Sequence, residues 1–351
     1  MRSVVRGTGF VVGEYLVPNS RFEKIMETSD QWIRERSGIE QRYFVKEGTS
    51  TSDLGVSASK LALEQAGVAP EEIDYVVFAT MTPDHFFPGS GSLLQSKLGL
   101  RNIPALDIRQ QCTGFIYALQ VSDALLRSGV AKNLLLIGAE VHSPFMPFED
   151  WDTVLGRAER TPTPEGLARH TTIRDRAVLF GDAGAAVVLS RDETETQRGL
   201  LDFELHTDGS QYNRLYVPSG MAHRPYVDKD MIDRLEHVPV MDGKYVFRMA
   251  VTKMPEVVRS LLAKNGLTVN DVKMFIAHQA NLRINEAVQQ SLGIPNDRIY
   301  NNIQRYGNTT AATIPIAYDE CRRAGKIQKG DLVCFVGLGA GFHWGAALLR
   351  D

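Results

Sequence analysis

A cysteine in the first half of the chain lies where an apolar strand pattern meets an apolar helix pattern. Cys112 follows the run ALDI at 105–108 and precedes GFIYALQ, which starts at Gly114. A thiol at the start of a helix faces unpaired backbone N–H groups and the positive end of the helix dipole, which favour the thiolate. The position indicates a nucleophile, and a buried, inert cysteine is the competing interpretation. Cys321, in a predicted helix, and Cys334, in a predicted strand, fit the inert interpretation.

Polar groups in the second half could complete a site for nucleophilic catalysis. His278 follows the apolar strand KMFIA, and α/β folds carry their chemistry at the carboxyl ends of strands. Asn308, in RYGNTTAATIP, lies at a second strand-to-helix junction, although a lone Asn there is most often a turn or cap residue. The backbone N–H groups of Gly339, Ala340 and Gly341 could form an oxyanion hole, or the segment is only a tight turn. The other histidines show no metal-binding spacing.

Short β-branched runs alternate with amphipathic stretches that end at glycines, which predicts an α/β fold with largely buried strands. Strands are predicted at 4–12, 73–80, 133–140, 185–190, 273–278 and 332–339, and helices at 52–67, 114–129, 253–266 and 282–293. The two halves resemble each other weakly. At an offset of 196, Gly129 corresponds to Gly325 and Cys112 to Asn308. We therefore predict two pseudo-symmetric lobes packed face to face.

The duplication also predicts the domain organisation. The N-terminal lobe is predicted over residues 1–195 and the C-terminal lobe over residues 196–351. Residues 141–176 have no counterpart in the second half and are rich in Pro, Gly and charged residues, so we expect a long loop with one short helix. Long loops of this kind often serve as lids or binding segments, and a surface insertion without function is the alternative.

Composition restricts the classes of function. The 351 residues include 39 basic and 42 acidic side chains, so the basic excess that is typical of nucleic-acid-binding proteins is missing. No apolar run approaches the ~20 residues of a membrane helix, and the first residues lack the pattern of a secretory signal. Three cysteines are too few for a disulfide framework. We expect a cytoplasmic protein that binds neither nucleic acid nor membrane.

Six segments occur in an order that is typical of one family: ETSDQWIRERSGIEQRY, DIRQQCTGFIYAL, LFGDAGAAVVL, HQANLRI, YGNTTAATIP and GAGFHWGAALLR. Nearly the whole chain is covered, and it resembles β-ketoacyl-acyl-carrier-protein synthase III. The resemblance implies a duplicated thiolase-like fold with five layers, α-β-α-β-α, and usually a homodimer. It also implies that an acyl group from acyl-CoA is bound to a cysteine and then condensed with malonyl-acyl carrier protein, with loss of carbon dioxide. Coenzyme A thioesters are then substrates, and no cofactor or metal is needed.

The resemblance further implies roles for individual residues. Cys112, His278 and Asn308 match the family's Cys–His–Asn triad. Other matching positions are Trp32 and Arg174 for the adenine of coenzyme A, Asn281 for the pantetheine tunnel, Phe87 for an acyl pocket shared across the dimer, Phe247 as a further substrate contact, and Arg248 and Arg283 for the carrier protein.

The chain departs from the family's pattern at three places. Gln110 and Gln111 replace small residues before the nucleophile, Ala340 and His343 alter the glycine-rich loop, and the insertion has no counterpart in short members. These departures keep a second hypothesis open, in which a specialised relative transfers the acyl group to another carbon, oxygen or nitrogen nucleophile. A non-catalytic acyl-CoA-binding protein is a third.

Overall fold

The computed structural model describes residues 2–194 and 197–351. The strands are β1 (Arg2–Val12), β2 (Tyr15–Pro18), β3 (Gln41–Phe44), β4 (Tyr75–Ala79), β5 (Ala105–Ile108), β6 (Asn133–Glu140), β7 (Ala183–Asp192), β8 (Gly199–Thr207), β9 (Leu215–Tyr216), β10 (Val240–Met241), β11 (Met274–Ala277), β12 (Leu332–Gly339) and β13 (His343–Arg350). The α-helices are α1 (Asn19–Phe22), α2 (Asp30–Ser37), α3 (Thr51–Ala66), α4 (Ser90–Lys97), α5 (Gly114–Arg127), α6 (Trp151–Val154), α7 (Pro164–Thr172), α8 (Arg174–Ala177), α9 (Lys229–Asp233), α10 (Gly243–Lys264), α11 (Leu282–Leu292), α12 (Ile303–Tyr306) and α13 (Thr313–Arg323). Within these described ranges, no helix has the length and apolar character needed to span a bilayer.

Two sheets have matching topologies. The first has the order β1-β7-β6-β4-β5, in which β7 pairs antiparallel with both neighbours and the remaining pairs are parallel. The second has the order β8-β13-β12-β11, in which β13 pairs antiparallel with both neighbours and β12 pairs parallel with β11. A parallel bridge from Phe275 to Ile299 lies where the fifth strand would be. The strands of the second sheet therefore repeat the directions of the first, as the predicted duplication requires.

Helices lie between the two sheets and on their outer faces. Phe115 and Ile116 of α5 and Tyr318 of α13 share one apolar cluster with strands of both sheets, so these two helices form the central layer. Helices α3 and α4 pack on the outer face of the first sheet, and α10 and α11 cover the second sheet. The result is the predicted five-layer α-β-α-β-α arrangement.

Most predicted elements form close to their predicted bounds, but one helix starts much earlier and one strand of the second sheet was not predicted. The strands predicted at 133–140 and 332–339 have those bounds in the structure. Helix α10 starts at Gly243 rather than Lys253, because Asp242 Oδ1 accepts a hydrogen bond from the Tyr245 N–H and caps an earlier turn. Strand β8, which forms an edge of the second sheet, was not predicted.

The segment 141–176 is more helical than predicted. It contains α6, α7 and the start of α8 instead of one short helix, and Thr163 caps α7 by accepting a hydrogen bond from Gly166 N–H at 3.0 Å. Met146 and Phe148 are buried in a cluster with Phe22 of α1, so the segment packs on the N-terminal helices rather than projecting into solvent. The predicted lobe boundary falls on residues 195 and 196, which lie outside the described residues.

The predicted correspondence between Cys112 and Asn308 is wrong by three residues. In each lobe a 3-10 turn leads into the central helix, and each turn begins at a residue with positive φ, Gln111 (46°) and Thr310 (48°). When these turns are matched, Cys112 corresponds to Ala311. Asn308 therefore precedes its turn, whereas Cys112 lies within its own.

Candidate active site

Cys112 occupies the predicted junction, in the turn between β5 and α5, and its side chain is buried. The end of β12 lies directly against it: a Cβ atom at Gly339 would be 2.9 Å from Cys112 N and 3.1 Å from Cys112 Cβ. A glycine is required here by close backbone approach rather than by an unusual φ. The backbone N–H groups of Cys112 and Ala340 lie close enough to the sulfur to lower the pKa of the thiol. Part of the predicted glycine-rich loop therefore faces the thiol.

The surroundings of the Cys112 thiol favour its neutral form. Burial, and then the negative charge of Glu140, raise the pKa of Cys112 to about 12 despite the two N–H donors. The N–H groups favour the thiolate, as the sequence predicts, but burial and Glu140 have the larger effect. The sulfur keeps its proton at neutral pH, and the N–H groups are placed for charge that develops during a reaction.

Glu140, at the end of β6, belongs to this site and was missed in the sequence. Its buried carboxyl group accepts hydrogen bonds from Thr80 Oγ1 (3.0 Å), Thr82 Oγ1 (2.5 Å) and the Met81 N–H (3.1 Å). Burial raises the pKa of this carboxyl above its usual range. The group fixes the segment after β4 against β6. An acidic residue that ends the apolar run NLLLIGAE was the available signal.

His278 lies at the carboxyl end of β11, as predicted, and its backbone N–H donates to Val336 O at 2.8 Å. Its Nδ1 lies 2.7 Å from Thr313 Oγ1, which is also 2.9 Å from the Thr310 carbonyl oxygen. In the described part of the chain, Nε2 has no hydrogen-bond partner. Burial lowers the pKa of His278 to about 3, so the imidazole is neutral at pH 7.

Asn308 is held by its backbone and by one end of its side chain. The Asn308 N–H donates to Leu179 O at 2.8 Å, and its carbonyl oxygen accepts from the Gly181 N–H at 3.1 Å. Its Oδ1 accepts from the Thr310 N–H at 2.9 Å. Because Oδ1 is occupied in this way, the Nδ2 amide is the end that can donate to a ligand.

The three side chains converge on β12 and the turn before α13. Strand β12 contacts Cys112 at Gly339, and a Cβ atom at Gly337 would lie 3.3 Å from His278 Cβ. Asn308 lies two residues before the turn that begins at Thr310, and the hydroxyl of Thr313, the first residue of α13, contacts the His278 ring. Cys112 of the first half and His278 of the second half therefore both pack against β12, and Asn308 lies just before the helix that contacts His278.

A second group of predicted residues surrounds Trp32, which is half-buried in α2. The guanidinium carbons of Arg174 and Arg36 lie 4.8 Å and 4.4 Å from the Trp32 ring centroid, and the sequence did not single out Arg36. Asn281 caps α11 by accepting from the Arg283 N–H at 2.9 Å and donates through Nδ2 to Arg36 O at 2.7 Å. It therefore joins the helix of Trp32 to the segment that follows His278.

The remaining predicted residues lie further out. Phe87 is 83% exposed on the segment between β4 and α4. Phe247 is partly buried in α10 against the outer apolar cluster. Arg248 on α10 and Arg283 on α11 are exposed, and these two helices pack side by side.

The described residues offer no obvious site for a metal ion. Across 2–194 and 197–351, no three His, Cys, Asp or Glu side chains are grouped so that they could hold one. Cys321 and Cys334 are buried and are not bridged, which agrees with their predicted inert role.

Comparison with known proteins identifies the family. The family described as 3-Oxoacyl-[acyl-carrier-protein (ACP)] synthase III matches residues 106–156 and 165–209, and the model of its C-terminal part matches residues 262–351. The beta-ketoacyl-[acyl-carrier-protein] synthase III of Cereibacter sphaeroides is 41% identical over 353 aligned residues, covering 100% of this chain and 99% of that protein. This chain belongs to the β-ketoacyl-acyl-carrier-protein synthase III family.

Other members agree with this assignment across the full length. The enzyme of the same name from Clostridium perfringens is 40% identical, with 98% of each chain covered. The crystal structure of 3-oxoacyl-[acyl-carrier-protein] synthase III from Aquifex aeolicus aligns with a TM-score of 0.84 at 37% identity, covering 99% of this chain and 100% of that one. The predicted thiolase-like fold is confirmed. Residues 157–164, within the predicted insertion, lie between the matched segments of the family model.

Proposed function

We propose that this chain is a condensing acyltransferase that joins an acyl group held on Cys112 to the malonyl group of malonyl-acyl carrier protein. The family membership supports the reaction. The observation that carries it to these residues is the state of three groups near β12: the thiol of Cys112 is influenced by the Ala340 N–H, His278 Nε2 has no partner among the described residues, and Asn308 is bound at Oδ1, which leaves its Nδ2 to donate.

The first half-reaction loads the cysteine. Cys112 Sγ attacks the carbonyl carbon of an acyl-CoA thioester, the bond from that carbon to the coenzyme A sulfur breaks, and the thiol proton ends on the departing coenzyme A. The N–H groups of Cys112 and Ala340 donate to the oxyanion of the tetrahedral intermediate. Donors of this kind contribute roughly 3–4 kcal/mol each in other enzymes. They also offset the unfavourable ionisation of a thiol whose pKa is about 12.

The second half-reaction needs two neutral donors. When malonyl thioester loses carbon dioxide, negative charge develops on its thioester oxygen, and His278 Nε2–H and Asn308 Nδ2–H stabilise that charge. The resulting carbanion attacks the acyl-cysteine carbonyl, releases the β-ketoacyl product, and the Cys112 sulfur regains a proton from solvent.

Thr313 selects the tautomer of His278 that this role requires. Its hydroxyl proton has two acceptors within reach, His278 Nδ1 at 2.7 Å and Thr310 O at 2.9 Å. The Thr310 carbonyl also accepts from the Thr313 backbone N–H and can accept from both groups. We infer that the hydroxyl donates to Nδ1, because this direction places the ring proton on Nε2, where the role of His278 requires it.

The cluster around Trp32 is proposed as the binding site for the adenine and phosphates of coenzyme A. A flat adenine ring can stack on the half-buried indole, and the guanidinium groups of Arg174 and Arg36 supply positive charge beside it. Asn281 holds this cluster next to the segment that carries His278, and Phe247 is proposed as a further substrate contact.

Two surfaces are proposed for macromolecular contacts. Arg248 and Arg283 are exposed on adjacent helices, as an acidic carrier protein would require.

Phe86 and Phe87 expose 63% and 83% of their surfaces, and such large apolar side chains are typical of an interface, here a homodimer. Light scattering of the purified protein, and of Phe87→Ala, tests the dimer.

The condensation itself is tested with acyl-CoA and malonyl-acyl carrier protein, followed by mass analysis of the carrier. We expect a β-ketoacyl carrier with the wild type and none with Cys112→Ala. An acyl-enzyme that forms but is not consumed by malonyl thioester contradicts the proposal and favours transfer to a different nucleophile.

A further inference from the structure

His142 is a buried imidazole near the catalytic cluster that the mechanism above does not use. It follows β6 by two residues and is 0% exposed. Among the residues that the structure describes, neither Nδ1 nor Nε2 has a hydrogen-bond partner. An imidazole with both nitrogens buried and unpaired is costly, and such a group needs an explanation such as a ligand or a bound water.

The His142 ring is held in place by its neighbours. It stacks on Phe180 with centroids 3.7 Å apart and an angle of 11° between the planes, and Phe145 lies 5.3 Å away at 53°. The His142 backbone N–H donates to Asp182 Oδ1 at 2.8 Å, which fixes the chain at this point. The ring is therefore packed between aromatic neighbours, while its two nitrogens remain without a protein partner among the described residues.

Phe180 connects the His142 ring to Asn308. Phe180 forms a parallel bridge with Asn308, and the flanking Leu179 and Gly181 exchange backbone hydrogen bonds with it. Phe180 also keeps part of its surface accessible, whereas His142 does not. Recognition by His142 therefore requires that a group attached to Cys112 extend past Asn308 and along Phe180.

We propose that His142 determines acyl-chain specificity by hydrogen-bonding a neutral oxygen, hydroxyl or carbonyl, carried on the acyl group that Cys112 receives. The inference rests on the proposed function. A plain hydrocarbon chain would leave the N–H and the lone pair of the imidazole unpaired, whereas a hydroxyl group can satisfy either one. Burial lowers the pKa of His142 to about 3, so the ring is uncharged and offers no counter-ion to a carboxylate.

The test is competition between matched substrates on the full-length protein. Hexanoyl-CoA is mixed at equal concentration with each isomer of hydroxyhexanoyl-CoA, and intact mass gives the ratio of the two adducts on Cys112. We expect the wild type to prefer at least one hydroxy isomer by about 10- to 100-fold, the effect of one unpaired buried polar group. His142→Leu should reverse the preference, and His142→Gln, which keeps a donor and an acceptor, should retain it.

His170 provides a matched control because it is also a buried histidine. Its Nδ1 lies 2.9 Å from Ile25 O, and its Nε2 accepts from the Glu149 N–H at 3.2 Å. His170→Leu should lower the melting temperature and leave the adduct ratio at the wild-type value, whereas His142→Leu should not lower the melting temperature.

The outcomes separate this inference from the proposed function. If the wild type forms adducts equally well with hexanoyl and every hydroxyhexanoyl group, or if His142→Leu leaves the ratio unchanged, the nitrogens are satisfied by water and the inference is overturned while the acyltransferase remains. If no acyl-CoA gives an adduct on Cys112, the proposed function itself fails, and the inference fails with it.

Discussion

Replacing Thr313 with valine removes the hydroxyl that contacts His278 Nδ1 and changes little else in shape. Thr313 is buried, so no bulk water replaces the lost group. A buried nitrogen without a partner costs about 1–3 kcal/mol, and at about 1.4 kcal/mol per factor of ten the decarboxylation rate should fall about 5- to 150-fold. The loss should appear in kcat for malonyl decarboxylation, because the hydroxyl fixes a tautomer and does not bind substrate.

The assay compares the two half-reactions in the same samples. Loading of Cys112 from acyl-CoA should stay within a few-fold of wild type in Thr313→Val, since His278 is not needed for that step. Thr313→Ser keeps the hydroxyl and should restore decarboxylation. A Thr313→Val enzyme that decarboxylates at the wild-type rate would refute the role of the hydroxyl, and an equal fall in both half-reactions would show general disruption instead.

Three further predictions concern the surroundings of the site. Gly339→Ala would place a Cβ 2.9 Å from Cys112 N and should reduce acyl loading of Cys112 more than about 100-fold. Gly209→Ala is the control and should load normally, because no atom lies within 4 Å of the added Cβ. A fully active Gly339→Ala argues against the close packing of β12 on Cys112. Because the pKa of Cys112 is raised to about 12, its alkylation by iodoacetamide, followed by peptide mass, should keep accelerating above about pH 9, and a plateau near pH 7 would contradict the neutral thiol. Burial lowers the pKa of His142 from 6.5 to about 3. As the pH falls below 6.5, His142 binds a proton in the unfolded chain but stays neutral in the folded chain, so the free energy of unfolding decreases. Thermal unfolding of His142→Leu and wild type should therefore diverge in favour of the variant by roughly 2 kcal/mol between about pH 7 and pH 5, and a constant difference would contradict it.

The strands and the positions of the candidate nucleophile and histidine could be predicted because their signals are local. β6 and β12 are continuous apolar runs, and such runs are typical of strands that are buried on both faces of a sheet. Cys112 stands at the change from strand to helix pattern, and His278 at the end of a buried strand. The family resemblance then indicated that these residues belong to one protein family, and the comparisons confirmed the family.

The ionisation and pairing of the same residues could not be predicted. The pKa of Cys112 depends on burial and on Glu140, and neither is visible in the residues beside the thiol. Thr313 and His142 acquire their roles from contacts with His278 and Phe180, which lie 35 and 38 positions away in the sequence. The three-residue error in the Asn308 correspondence has a similar cause, since only backbone φ angles reveal which turns match.

The most direct test of the account is the mass of the intact protein before and after each substrate. With acyl-CoA, the wild type and His278→Ala should each gain one acyl group on Cys112, and Cys112→Ala should gain none. When malonyl-acyl carrier protein is added, the wild type should lose the acyl group to the carrier, and His278→Ala should keep it. An adduct on Cys112→Ala, or release of the acyl group as β-ketoacyl carrier by His278→Ala, would contradict the account.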